Sequence, residues 1–151
     1  MREEKDQSLL WVFAKGLRSN DEETRRESCS RLKSLEGLPY LLNTLEVAAK
    51  TRKKKYYGEW ALAIVGILRD NASRCDEVAR NFSSVLAKAD LKNPGCIGIV
   101  EVLLCAAQSS QNSRKIVNAA LLAIVESTGT PDKLAVKAAC ALIDLSKSKR
   151  A

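Results

Sequence analysis

The chain of 151 residues contains no histidine. Serine and cysteine nucleophiles of hydrolases depend on an imidazole base, so Ser-His-Asp and Cys-His sites are excluded. A zinc site without histidine needs three or four clustered cysteines, and the five cysteines form no C-x-x-C pair. These absences predict a protein that is not an enzyme and that holds neither a metal nor another cofactor.

Glycine and proline are also scarce, with seven and three copies, and aromatic residues make up only 5% of the chain. The scattered glycines form neither of the glycine-rich loops, G-x-G-x-x-G and G-x-x-x-x-G-K, that hold phosphates. So few turn residues favour helices over an all-β chain, which turns about every ten residues. Hydrophobic residues at 46% and charged residues at 28% are typical of soluble proteins, so we expect one all-α domain over residues 1–151.

Long hydrophobic runs are missing as well. The longest apolar stretch, residues 61–68, is far shorter than the roughly 20 residues of a membrane span, and residues 9–13 are too brief for a secretory signal. The odd number of cysteines, without metal-like spacing, predicts buried free thiols in a reducing compartment. These cysteines are Cys29, Cys75, Cys96, Cys105 and Cys140. We therefore expect a cytoplasmic or nuclear protein that makes no membrane contact.

Helical periodicity runs through almost the whole chain, and a turn signal interrupts it every 12 to 20 residues or so. Asn20 or Asp21, followed by two glutamates, is typical of a helix start, and Pro39 suits the first turn of the next helix. The pattern predicts helices over 7–18, 21–35, 39–50, 52–69, 74–80, 82–90, 96–108, 114–127 and 132–147.

This succession of helices repeats along the chain. Leu62 and Leu103 are 41 residues apart, Asn71 and Asn112 are also 41 apart, and Leu103 and Leu142 are 39 apart. Helical units of about forty residues stack side by side, so that each buries an apolar face against its neighbours. The period predicts an α-solenoid, with a compact helical bundle as the alternative.

The repeating segments resemble the armadillo and HEAT repeat families. Gly37 and Pro39 look like the armadillo Gly-x-x-Pro segment that leads into the second helix of a repeat, and Trp60 looks like the start of the third helix. The segments that begin at Asn71 and Asn112 are similar to the first helix of the following units. The resemblance covers most of the chain, in about four repeats. It implies a right-handed solenoid that binds a peptide or helix of a partner protein along a groove.

The departures from the armadillo pattern limit what this groove is expected to bind. Peptide-binding members of the family carry a ladder of asparagines and a ladder of tryptophans along the groove. The asparagine positions are occupied here by Ile64, Cys105 and Asp144, and the tryptophan positions after Trp60 by Glu101 and Cys140. We therefore do not expect the chain to bind basic localisation signals in the manner of that family.

A stripe on the fourth predicted helix is the candidate binding surface. Residues four apart share a helix face, so Tyr56, Trp60 and Ile64 lie together, with Trp60 as an aromatic anchor or, alternatively, as part of the core. The residues predicted to contact a partner are Tyr56, Tyr57, Trp60, Ile64, Glu101, Lys137 and Asp144. The leading hypothesis is a non-catalytic scaffold or adapter that binds another protein.

Positive charge is concentrated in the middle of the chain. The net charge is +7, and residues 47–94 alone contribute +5. The candidate basic patch consists of Lys50, Arg52, Lys53, Lys54 and Lys55. Next to two tyrosines, it suits an acidic or phosphorylated peptide or a nucleic-acid backbone. Nucleic-acid binding is therefore the alternative function, and a localisation signal or a solvated loop is the alternative interpretation of the patch.

The two ends of the chain raise separate expectations. Trp11 shares an apolar stripe with Leu10, Phe13 and Leu17, which predicts packing in the core unless the first two helices form a docking edge. The chain stops at the end of a repeat, without the polar closing helix that a solenoid needs. We therefore expect a fragment of a longer protein, or self-association through the uncovered end.

Overall fold

The computed structural model describes residues 2–50 and 56–148, and the side chains of 9–50 and 56–147 among them. The described part is all-α and contains no strand. Its helices are α1 Arg2–Gly16, α2 Glu22–Leu32, α3 Leu38–Lys50, α4 Tyr57–Asp70, a 3₁₀ turn Ala72–Arg74, α5 Cys75–Lys88, α6 Gly95–Ser109, α7 Gln111–Glu126 and α8 Asp132–Ser148. None of these helices has the length and apolar character needed to cross a membrane.

Most helix boundaries fall within a few residues of the predicted ones, and the start of α2 follows the predicted cap. Asp21 has extended backbone angles, and its carboxylate accepts a hydrogen bond from the backbone N–H of Thr24 at 3.1 Å. That bond satisfies one of the backbone donors that a helix start leaves unpaired. The prediction of Asp21 as the helix cap is confirmed.

Three predicted boundaries are wrong, and one of them is the start of α1, which lies at Arg2 and not at residue 7. The helices expected over 74–80 and 82–90 are one continuous helix, α5, because buried side chains continue from Val78 through Phe82 to Leu86 without a break. Helix α4 begins at Tyr57 and not at residue 52, since Tyr56 has non-helical backbone angles of φ −107° and ψ 21°. The residues before Tyr56, 51–55, lie outside the described part.

The eight helices of residues 2–50 and 56–148 pack as four consecutive pairs. Each pair is a hairpin: α1 packs on α2, α3 on α4, α5 on α6, and α7 on α8. The first helices of successive pairs contact one another, and so do the second helices, which gives an odd row (α1, α3, α5, α7) and an even row (α2, α4, α6, α8). Helices α4 and α6 make the most extensive contact between pairs. Each pair therefore buries apolar side chains against the next one.

Helix α6 lies at the centre of the molecule and contacts α3, α4, α5, α7 and α8. Its first residue, Gly95, lies so close to α3 that an added Cβ atom would be 2.5 Å from the carbonyl carbon of Ala48. Beside it, the side-chain amide of Asn93 donates to the carbonyl oxygen of Ala49 at 2.7 Å. The close approach of two backbones thus requires a residue without a side chain at position 95.

Asp76 links the third and fourth helix pairs. Its Oδ1 atom, near the start of α5, accepts hydrogen bonds from the hydroxyls of Ser110 at 2.7 Å and Ser113 at 2.6 Å. Both serines lie at the start of α7, so one carboxylate fixes this junction. The hydrogen bonds from Ser113 and then Ser110 lower the pKa of the Asp76 carboxyl below its ordinary value of 3.8.

The cysteine and Trp11 predictions are only partly correct. All five cysteines are free, and Cys75, Cys96 and Cys105 are buried, but Cys140 is exposed. Trp11 is 55% exposed, and the ammonium group of Lys15 lies 4.0 Å from the centre of its ring. Helix α1 lies at one end of the fold. Its substantial contacts are with α2 and α3 only, so much of its apolar side remains exposed.

Exchange of single glycines for alanine tests the close packing at α6. We expect Gly95→Ala to lower the free energy of unfolding by about 1–3 kcal/mol, because the new Cβ displaces the backbone of α3. The matched control is Gly58→Ala in α4, where an added Cβ meets nothing within 4 Å. This control should gain about 0.5–1 kcal/mol from helix propensity. Urea unfolding curves measure both values, and an unchanged stability of Gly95→Ala would contradict the packing described here.

Acid sensitivity tests the Asp76 junction. A carboxylate whose pKa is lowered by folding stabilises the protein above its unfolded pKa, and this contribution is lost as the pH falls through the folded value. We expect Asp76→Asn to lower the melting temperature at neutral pH and to match the unaltered protein well below pH 3.8. Thermal unfolding followed by circular dichroism measures this difference. A difference that stays constant over the whole pH range would show that the Asp76 charge has no such role.

Candidate protein-binding face

The rotation of α4 about its own axis decides which of its residues a partner can reach. Trp60 is 0% exposed, and its indole N–H donates to the carbonyl oxygen of Leu17 at 3.0 Å. Ile64, one turn further on, is also fully buried. The prediction that Trp60 and Ile64 form an accessible stripe is therefore corrected: both belong to the core, which was the alternative for Trp60.

The exposed stripe of α4 lies on the opposite side from Trp60. Leu62 is 68% exposed, and Gly58 and Arg69 lie one and two turns away on the same side of the helix. Two residues correspond to a rotation of about 200° on an α-helix, so the exposed residues of α4 lie on the side opposite Trp60.

A first cleft separates α2 from α4. It has a volume of about 490 Å³ and is lined by Glu22, Arg26, Cys29, Ser30, Lys33, Glu59, Leu62 and Ala63. Lys33 lies across Gly66 of α4, since an added Cβ at position 66 would lie 2.6 Å from its Cε and 3.2 Å from its Nζ atom. The missing side chain of Gly66 thus lets the cation of Lys33 rest one turn from Leu62.

Arg25 joins the first helix pair to the start of α4. Its side chain is buried, and its Nε atom donates to Glu59 at 3.1 Å while Nη1 donates to the carbonyl oxygen of Ser19 at 2.9 Å. The guanidinium group also stacks on the ring of Tyr56, 3.6 Å from its centre. A buried arginine needs such partners for its charge, and here they fix the position of Tyr56.

A second cleft lies between the start of α4, α6 and α8. It has a volume of about 500 Å³ and is lined by Tyr56, Tyr57, Gly58, Glu59, Ile97, Glu101, Lys133 and Lys137. The structure thus brings together Tyr56, Tyr57, Glu101 and Lys137 as neighbours in one cleft. The ammonium group of Lys137 lies 3.0 Å from the carboxylate of Glu101 and bridges α8 to α6.

Helix α8 extends this surface beyond the second cleft. Val136 is 61% exposed and Ile143 is 54% exposed, and they lie two turns apart on the side of α8 opposite its buried residues. Asp144 is exposed two turns beyond Lys137 but does not line the cleft. We call the surface formed by the two clefts and by the exposed residues Leu62, Arg69, Val136, Ile143 and Asp144 the even-helix face.

Sequence reasoning missed several members of this face, notably Leu62, Lys33 and Val136. Helix α4 is apolar almost all round, so its periodicity does not reveal which side faces outward. Lys33 is brought to the face only by the tertiary contact with Gly66. For Val136, the available signal was its spacing of three residues from Lys133, which places both on neighbouring positions of one helix side.

The candidate basic patch is described only in part. Lys50 is exposed, and its ammonium group lies 3.7 Å from the carboxylate of Glu46 on the same helix. The other members of the patch, Arg52, Lys53, Lys54 and Lys55, lie outside the described residues. The patch remains a prediction from the sequence.

Among the described residues, no cluster of acidic residues and cysteines has the arrangement of a metal site. Cys29 lies in the first cleft, and burial raises the pKa of its thiol to about 11. Since the thiolate is the nucleophile, this cysteine stays protonated and unreactive at neutral pH.

Comparison of the chain with family models, curated proteins and solved structures found no match. The interpretation of the even-helix face therefore rests on its own residues and contacts.

Truncation of the two tryptophans tests the rotation of α4. We expect Trp60→Ala to lower the free energy of unfolding by about 3–5 kcal/mol, because it leaves a cavity and removes the donor to Leu17. The matched control, Trp11→Ala, should cost about 1 kcal/mol or less, since Trp11 is half exposed. Chemical unfolding measures both. Similar costs for the two variants would contradict the assignment of Trp60 to the core.

Proposed function

We propose that the chain is a non-catalytic scaffold or adapter module that binds a segment of another protein along the even-helix face. The observation that carries this proposal is that Leu62 is exposed in the first cleft, while Val136 and Ile143 are exposed on α8, the helix that borders the second cleft. Leu62, Val136 and Ile143 each expose more than half of their surface there. Exposed apolar groups gathered on one face and surrounded by charges are typical of protein interaction sites.

The arrangement of the helices supports the same proposal. Four hairpins stacked in two rows fit the α-solenoid with armadillo- or HEAT-like repeats that we propose for this chain. Solenoids use the surface of one row of helices to bind extended partners, and the two clefts run between successive helices of the even row. The partner need not follow the armadillo mode, since Ile64 is buried and Cys105 and Asp144 occupy the other asparagine positions.

The alternative function is binding of nucleic acid through residues 50–57. Lys50 is paired with Glu46, and Tyr56 is covered on one side by Arg25. Nucleic-acid complexes weaken steeply as salt rises, because each neutralised phosphate releases counterions. Binding through apolar side chains tolerates moderate salt, so the salt dependence of binding distinguishes a protein partner from nucleic acid.

A variant in the middle of the face tests the proposal. We expect Leu62→Asp to lose the proteins that the unaltered chain retains from a nuclease-treated lysate at moderate salt. The reason is that a charge replaces an apolar contact in the centre of the face. The measurement is quantitative mass spectrometry of retained proteins.

The matched control is Leu122→Asp, since Leu122 is 46% exposed but lies on α7 in the odd row. This control should retain the same proteins, and both variants should keep the melting temperature within a few degrees because neither residue is in the core. Equal retention by Leu62→Asp would refute the proposal. Loss of all retained proteins on nuclease treatment would favour nucleic-acid binding.

A further inference from the structure

The charges of the even-helix face point to the chemistry of its partner. Its carboxylates are largely neutralised within the molecule: Glu22 by Arg26 at 2.8 Å, Glu59 by Arg25 at 3.1 Å and Glu101 by Lys137 at 3.0 Å. A partner that approaches this face therefore meets little uncompensated negative charge apart from Asp144 and from Asp70, which follows Arg69 at the end of α4. The three cations described next outnumber these two carboxylates.

Three cations lie on or beside the even-helix face. Lys33 lies over Gly66 beside the first cleft. Arg69 is exposed near the end of α4. Lys133 lines the second cleft with Lys137. These three cations lie at the end of α2, on α4 and on α8, so they are spread along the face rather than gathered at one point.

Exposed apolar side chains alternate with these cations. Leu62 lies one turn from the Gly66 position that Lys33 covers, and two turns from Arg69. On α8, Val136 follows Lys133 by one turn, and Ile143 continues the same surface. Such a pattern complements a segment in which carboxylates alternate with apolar side chains.

We propose that the partner of the even-helix face is an acidic segment of another protein that carries at least two apolar side chains. The apolar side chains contact Leu62 and the Val136–Ile143 region, and the carboxylates lie against Lys33, Arg69 and Lys133. This inference rests on the proposed function, which it extends from a protein partner in general to one of defined chemistry. The net charge of +7 favours the encounter with an acidic segment at long range.

Selection from a random peptide library displayed on phage, with the purified chain as bait, tests the inference. The selected peptides should be acidic and should contain two or more apolar residues. Their affinity should fall at least about tenfold for the triple variant Lys33→Glu, Arg69→Glu, Lys133→Glu, as expected for loss of three charge contacts. Fluorescence anisotropy with one labelled selected peptide measures this change.

The matched control is the triple variant Lys88→Glu, Lys92→Glu, Lys115→Glu. These three lysines are exposed on α5, on α7 and in the loop after α5, and their reversal changes the net charge by the same amount. The control should bind the labelled peptide within about threefold of the unaltered chain, since long-range charge effects are screened by salt. Circular dichroism confirms that both triple variants fold.

The outcomes separate the inference from the proposed function. Selected peptides that need Leu62 but are neutral or basic would overturn the acidic partner and leave the binding face in place. An equal loss of affinity in both triple variants would also overturn it, because the net charge and not the face would then attract the peptide. Peptides that bind Leu62→Asp as well as the unaltered chain, or no selected peptide at all, would overturn the proposed function together with the inference.

Discussion

The burial of Trp60 is the constraint on which the rest of the structure depends. The indole ring fills the core between the first two helix pairs, and its N–H group is satisfied by the carbonyl oxygen of Leu17 at 3.0 Å. A side chain of this size, held by a directional hydrogen bond, leaves α4 only one rotation about its axis. In that rotation Leu62 faces outward and Glu59 meets Arg25. One buried contact thus positions both the first helix pair and the exposed side of α4.

The even-helix face follows from how the remaining helices pack on α4. Close approach at Gly95 places α6 in the centre, and α6 in turn contacts α8, whose Lys137 bridges to Glu101. Glycine has a second role at position 66, where it lets Lys33 lie across α4. The absence of a side chain at Gly66 therefore decides where the Lys33 cation reaches the surface. The large side chains fill the core.

The sequence predicted the class of fold well because helix signals are local. Caps such as Asp21 and breaks such as the Gly37 turn act within a few residues, so most helix boundaries agree with the structure. The rotation of α4 was wrong because nearly all of its residues are apolar, and only contacts with distant segments decide between Trp60 and Leu62. Trp11 was assigned to the core for a similar reason: an apolar stripe does not reveal that few helices cover α1.

Only part of the candidate site could be predicted from the sequence. Glu101 and Lys137 were each predicted to contact a partner, and the structure places both in the second cleft, where they form an ion pair. Lys33 joins the face through the space above Gly66, and no periodicity in the sequence indicates a contact between positions so far apart. The basic residues 52–55 lie outside the described part of the chain.

The rotation of α4 is tested most directly by the fluorescence of Trp60 alone. In a Trp11→Phe variant, Trp60 is the only tryptophan of the chain. We expect its emission to be strongly blue-shifted relative to the unfolded chain and to resist quenching by acrylamide, because the ring is fully buried. Emission and quenching close to those of the unfolded chain would place Trp60 on the surface and contradict the account of the even-helix face.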